Sequence, residues 1–351
     1  MTGINTGAEL RHAFRKSPAW GQPAQAGAGD GAELGAHTLA HRIERIPHGA
    51  LGHAHSPGAD KGNIRLDGYI ETYARYGDLL GLALVAGAAP APTPAGASSY
   101  THTITPADNI DGLCATWIER RKSYTLEAVL KPHAFTLYGD AGRALTLRLD
   151  TQGFDLIEDS TVNTLVTFAA VTIPDTGNRL LFSQMAVRIN AASGAALTDT
   201  DKVYPSQIVF RFRRQLEGAY TGQYAVERGG AAMDRMDEPV NAGPTETSLE
   251  LRFPVSASPL LLSAFKSDER KKLDLVFTGR EIETGLRRSL SIELPAAELA
   301  ALTTLDSSRG RLIERAEFLC HQPAAAPAGM TGIATPWRIT AVNTRSTSYL
   351  E

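Results

Sequence analysis

From about Ile64 to Trp337 apolar and polar side chains alternate with a period of two, and only two segments break that period in favour of a helical one. Successive side chains of a strand point to opposite faces, so the alternation predicts half-buried antiparallel strands. In the first clear strand Ile64, Leu66, Gly68 and Ile70 fall on one face, with Arg65, Asp67, Tyr69 and Glu71 on the other. The same period sets Ile208, Phe210 and Phe212 against Val209, Arg211 and Arg213, and Leu249, Leu251 and Phe253 against Glu250 and Arg252. Further strands are predicted over 100–105, 114–120, 124–130, 133–138, 143–149, 165–173, 180–189, 273–278, 286–294, 312–320 and 337–343, with turn signals such as Gly139-Asp140 and Asp175-Thr176-Gly177-Asn178 between them. A weaker alternation over 37–47, with Leu39, His41, Ile43 and Arg45 on one side, predicts an earlier strand.

The two interruptions read as short helices. Residues 79–86 are apolar nearly all round, which predicts a buried helix, with Asp78 as N-cap, Gly87 at C′ and Pro90 beyond. Residues 258–267 (SPLLLSAFKS) predict a second, with Ser258 as N-cap and Pro259 at its first position. The order is strands, helix, strands, helix, strands, so each half of the chain sets strands around one helix. The fold class expected is mainly β, an antiparallel β-sandwich or barrel with one or two short flanking helices. Residues 1–36, rich in Ala and Gly, are expected to form an arm that orders only against something else, and 37–351 to form the domain. Long loops are expected near 46–62 and 87–99, the second extended and exposed by its prolines.

Composition narrows the classes. A chain of 351 residues buries roughly three quarters of its unfolded surface, enough for a sizeable core. A net charge of −3 supplies no basic field for nucleic acid, although a channel that lets it pass is compatible with that charge. The longest apolar run, 79–89, is far short of the roughly 20 residues of a spanning helix, so no membrane anchor is expected. The first 17 residues carry no apolar secretion core, which predicts cytoplasmic synthesis, and Cys114 and Cys320 are expected as buried free thiols.

Candidate chemistry is sparse. His37, His41, His48, His53 and His55 crowd one stretch, and His53-Ala54-His55 is the one spacing that would chelate a metal. The segment is Gly-rich and offers no rigid shell of supporting partners, so these histidines are expected to pack or hydrogen-bond at an interface. Arg211, Arg213 and Arg214, and the run 266–272, read as a solvated face or as an ion-pair surface for Asp234, Asp237 and Glu238 of a neighbouring copy. Glu250 with Arg252, Arg148 with Asp150, and Glu119 with Arg121 mix both signs on polar faces, while Trp117, Trp337, Phe210, Phe212 and Phe253 read as core. The chain has no G-x-S-x-G, Walker A or H-E-x-x-H motif, and pairs such as Asp155 with Glu158 or Glu281 with Glu283 are common on strand faces. No catalytic, cofactor-binding or metal-ligating residue is assigned, and the protein is expected not to be an enzyme.

A succession of short motifs carries a resemblance. It runs from Ala19-Trp20-Gly21, through Gly68-Tyr69-Ile70 and Gly77-Asp78-Leu79-Leu80-Gly81-Leu82, to Ser99-Tyr100-Thr101-His102-Thr103. It continues with Tyr204-Pro205-Ser206, Glu238-Pro239, the run 249–265, Leu294-Pro295 as a strand ending, and Ile339-Thr340-Ala341-Val342-Asn343. In this order the chain resembles the tail tube proteins of long-tailed bacteriophages. The resemblance implies a tail tube β-sandwich domain that self-assembles into homo-hexameric rings stacked as a tube, the channel for genome delivery. It implies a place in the virion tail, of the long flexible siphophage kind, after assembly in the host cytoplasm. It further implies a tape-measure protein inside the tube, tail terminator and tail tip proteins at its ends, and DNA passing through the lumen without specific binding. The residues leave open a β-sandwich glycan-binding or adhesion module of a tail tip or cell surface, and a metal-dependent enzyme built on the histidine loop.

Overall fold

Alternation becomes ladders along two successive runs of strands in a computed structural model that describes residues 10–48, 58–173, 178–220, 235–254, 259–267, 269–308 and 311–351. The first run comprises β1 (Arg11–Lys16), β2 (Gly31–Ala32), β3 (Leu34–His37), β4 (Ala40–Pro47), β5 (Ala59–Tyr73), helix α1 (Leu80–Ala86), β6 (Gly87–Ala88), β7 (Thr93–Pro94), β8 (Tyr100–Pro106), β9 (Ala115–Arg120), β10 (Thr125–Asp140) and β11 (Thr146–Glu158). The second comprises β12 (Met185–Ala191), β13 (Lys202–Val203), β14 (Gln207–Arg213), β15 (Leu216–Glu217), β16 (Val240–Asn241), β17 (Glu246–Phe253), helix α2 (Pro259–Ser267), β18 (Lys271–Glu283), β19 (Leu286–Ser308), β20 (Arg311–Cys320) and β21 (Arg338–Asn343). The protein is mainly β and its ladders are antiparallel.

Two layers enclose the core. In the first, β3 and β4 lie on β5, and the order continues β5, β11, β10, β14, β17, β20 and the later half of β19. The second runs β13, β12, β18, the earlier half of β19, β21 and β8. The described ladders do not return to their starting strand, so the arrangement is a sandwich hinged on β19 and not a closed ring of strands. Between the layers lie Phe135, Leu137, Phe210, Phe212, Leu249, Leu251 and Phe318 from one side and Leu275, Phe277, Leu290, Ile292 and Ile339 from the other. Trp337 meets Phe135, Phe210 and Phe212 edge to face at 5.1 to 6.0 Å. Burial of each such side chain contributes roughly 1.5–3 kcal/mol relative to exposure.

Helix α1 closes one side of this core with Leu82, Ala83, Val85 and Ala86 buried, and Gly87 ends it in the left-handed conformation at φ 97°. Its N-cap is Leu79, with no side-chain cap bond, so Asp78 does not cap it. The expected N-cap of α2, Ser258, lies outside the described residues, as does the Asp175-Thr176-Gly177 turn.

Several boundaries differ from the sequence reading. Residues 165–173 form a 3-10 turn at Thr167–Ala170 in place of a strand, held by Thr164 Oγ1 accepting the Thr167 amide. The two strands expected over 124–138 are one, β10, which runs through Pro132 because Pro132 stands at a register shift against β11. Pro295 likewise fails to end its strand: β19 continues to Ser308 and changes partner from β18 and β21 to β20. Residues 10–37 lie on the chain's own sheets, β1 pairing along β9 from Arg11↔Arg120 to Lys16↔Ala115. Of the loop expected near 46–62, residues 49–57 lie outside the described residues, and the residues that flank them pair as β4 and β5 as far as Pro47↔Ala59.

Candidate functional site

The face of the first layer turned away from the core collects the polar side chains of the alternation. Register carries them in rows from strand to strand. Glu71, Arg148, Thr136, Arg211 and Ser248 stand opposite one another in turn, and Thr146, Tyr138, Val209, Glu250 and Glu317 form the next row. A third runs Asp140, Gln207, Arg252 and Arg315. The middle of these rows lines an open concavity of 540 Å3.

Opposite charges on this face hold one another. Arg148 Nη2 lies 2.8 Å from Asp150 Oδ1, and its guanidinium sits 3.9 Å from the centre of the Tyr69 ring. Glu250, only 4% exposed, accepts from Arg252 Nε and from Arg315 Nη2, both at 2.8 Å, and Arg315 also reaches Glu317 at 3.5 Å. Burial alone would raise the pKa of Glu250; the two guanidiniums outweigh it and hold the carboxyl below its ordinary value. Arg211 is exposed and makes no ion pair among the described residues.

The basic cluster expected at 211–214 divides. Arg213 is exposed on the polar face with Arg211, whereas Arg214, 1% exposed, turns inward. Arg214 donates to the carbonyls of Val85, Ala86 and Ala107 at 2.5 to 2.6 Å, so it caps the C-terminal end of α1. Burial pushes its pKa down to about 10. The acidic counterpart expected on a neighbour is partly used within the chain: Glu238 accepts from buried Lys131 at 2.6 Å and from the Gly112 amide at 2.7 Å. Asp234 lies outside the described residues. From the run 266–272, Lys272 is fully buried and donates to the carbonyls of Gly194 and Ala328.

The early histidines go to separate carboxylates. His37 Nε2 is 2.7 Å from Glu119, His41 Nε2 3.3 Å from Asp155, and His48 Nε2 2.8 Å from Asp60. His53 and His55 lie outside the described residues, and no three ligand side chains converge on a metal position among the described ones. The sequence reading missed His12, which stacks on Trp117 with His37 beside it and has Nδ1 3.8 Å from Glu119. Burial would raise Glu119, but His37 and Arg121 hydrogen-bond it and bring its pKa down to about 2. Burial brings His12 down to about 4. The available signal was Glu119 in β9 with Arg121 just beyond its end; the histidine partners of Glu119 come from distant strands. Trp117, Trp337, Phe210, Phe212 and Phe253 are all buried, and both cysteines are buried free thiols.

Compared with known proteins, the chain matches no family model and no curated protein.

Proposed function

We propose that the protein is a structural subunit of a phage tail tube, self-assembling into stacked rings, with the polar face of the first layer lining the channel. The observation that carries this reading is the polar face that runs across β5, β11, β10, β14, β17 and β20, on which Arg148, Arg252 and Arg315 are each held by a carboxylate and Arg211 makes no ion pair among the described residues. DNA gains affinity for a protein mainly by releasing its counterions when free Lys and Arg neutralise its phosphates, and an arginine already held by a carboxylate contributes little of that. Such a wall stays wet and carries DNA without retaining it. The order of motifs along the chain supports the same reading. A tape-measure protein inside the tube and terminator and tip proteins at its ends belong to the proposal, as does residence in the virion tail.

Negative-stain microscopy of the concentrated, purified protein tests it. Rings and tubes with a central channel are expected. Monomers under every assembly condition, and no copies in tail preparations, would overturn it.

A further inference from the structure

The chain passes twice through one topology. In the first pass β1 joins β2 to the edge of β9, β3 and β4 lead into β5, β5 leads to α1, β9 and β10 form a hairpin, and β11 returns between β10 and β5. In the second, β12 joins β13 to the edge of β18, β14 leads into β17, β17 leads to α2, β18 and β19 form a hairpin, and β20 returns between β19 and β17. Helix α1 packs on β10 and α2 on β19. The correspondence reaches residues. The row Glu71, Arg148, Thr136 of the first pass becomes Arg252, Arg315, Thr303 in the second, and Tyr69, Asp150, Ala134 becomes Glu250, Glu317, Ala301.

The two passes meet where β14 pairs with the later half of β10. Ala134 stands between Asp150 of β11 and Arg213 of β14, and Leu130 between Gly153 of β11 and Ala115 of β9. So β9 and then β14 occupy the side of β10 away from β11. On β19, Ala297 stands between Lys271 of β18 and Cys320 of β20, and from Glu298 to Ser308 the described ladders pair with β20 alone. The side of β19 that corresponds to the β14 side of β10 is therefore an open edge. At the other end of the layer β3 and β4, the counterparts of β14, pair among the described residues only with β5. Open edges of this kind attract further strands.

We propose that copies of this chain join head to tail, β3 and the start of β4 of one copy pairing antiparallel with the Glu298–Ser308 half of β19 in the next, as β14 pairs with β10 inside the chain. Transposing the internal register, in which Arg211 stands opposite Thr136, puts Ala40 of one copy opposite Thr303 of the next. A contact between two different surfaces closes into a ring when its rotation allows. A second feature has the same logic. The segment after β14, in its described residues on either side of 221–234, lies on the first pass, where Tyr220 Oη donates to the Ile64 carbonyl, Trp20 Nε1 donates to the Met236 carbonyl, and Arg235 pairs with Asp155. Its counterpart, the β4–β5 hairpin, leaves Ile43 and Ile46 39% and 53% exposed; across the copy boundary it covers the second pass of the neighbour. The repeating unit of the wall is half a chain, so a ring of six units contains three copies. That count rests on the tail tube reading, whereas the edge pairing does not.

The double variant A40C/T303C tests the contact, because directly opposed residues of an antiparallel pair have Cα atoms about 4.5–5.5 Å apart, within disulfide reach. Mild oxidation is expected to give covalently linked multimers on denaturing gels, with neither single variant linking. Native mass spectrometry of rings of the unmodified protein is expected to give three copies. Rings or tubes that contain six copies, or assembled rings of the oxidised double variant in which this cross-link is absent, overturn the proposal and leave the tube reading standing. Cross-linked multimers that never stack keep the edge pairing and overturn the tube. A monomer that stays unlinked at every concentration overturns both.

Discussion

Arg214 shows what a single residue can disclose when its parity is taken seriously. The period of two that exposes Arg211 and Arg213 puts residue 214 on the face of Phe210 and Phe212, where a charge needs acceptors. It finds them in the carbonyls at the end of α1. Arg214→Met is expected to destabilise the fold by about 3 kcal/mol, the loss of charge-assisted bonds together with unsatisfied carbonyls, with Arg211→Met nearly neutral. Urea denaturation of both variants checks it. At the cluster of His12, His37 and Glu119 the predicted effect is one of pH. The unfolded chain protonates His12 near 6.5 and the folded chain only near 4, so stability falls as pH drops through that window. Glu119, depressed to about 2, adds stability that is present above its ordinary 4.5 and lost as pH falls towards 2. His12→Gln is therefore expected to flatten the dependence of the urea midpoint between pH 6.5 and 4 and to leave the more acidic loss in place. The pairing within this cluster, and His12 itself, were not legible in sequence, because β1, β3 and β9 bring together residues that no local period connects.

Elements were legible wherever one face is dry and the other wet. The strands β5, β14 and β17 follow their alternation closely. The later half of β19, with the run Ala296-Ala297-Glu298-Leu299-Ala300-Ala301-Leu302, lacks that alternation and has the composition of a helix; ladders to β20 override the local preference. The short segments β2 and β3 were missed because Gly and Ala give them little pattern of their own. Gly68 marks a place where an element depends on the absence of a side chain. A Cβ there would lie 2.5 Å from the Thr38 carbonyl oxygen, against backbone that cannot swing aside. Gly68→Ala is expected to cost about 2 kcal/mol or more and to detach β3 from β5 before the core unfolds. Hydrogen exchange at the Thr38 amide, which donates to the Tyr69 carbonyl, would show faster exchange than in the parent protein.

For the molecule as a whole the alternation told that a wet face exists, and the register told which residues share it. Glu71, Arg148, Thr136 and Arg211 come from segments far apart in the chain, and only the strand order places them in one row. If pairing of charge keeps DNA from adhering, removing carboxylates should make the wall adhesive. The double variant E71K/E317K is expected to gain salt-dependent affinity for duplex DNA that the parent lacks, read by fluorescence anisotropy at two salt concentrations. Unchanged binding would remove charge pairing from the account. A helical reconstruction of assembled tubes by electron cryomicroscopy tests the central claim most directly. The account predicts Arg148, Arg211 and Glu250 facing the channel and the hydrophobic layer behind them; tubes whose channel is lined by another surface, with this face turned outward, would contradict it.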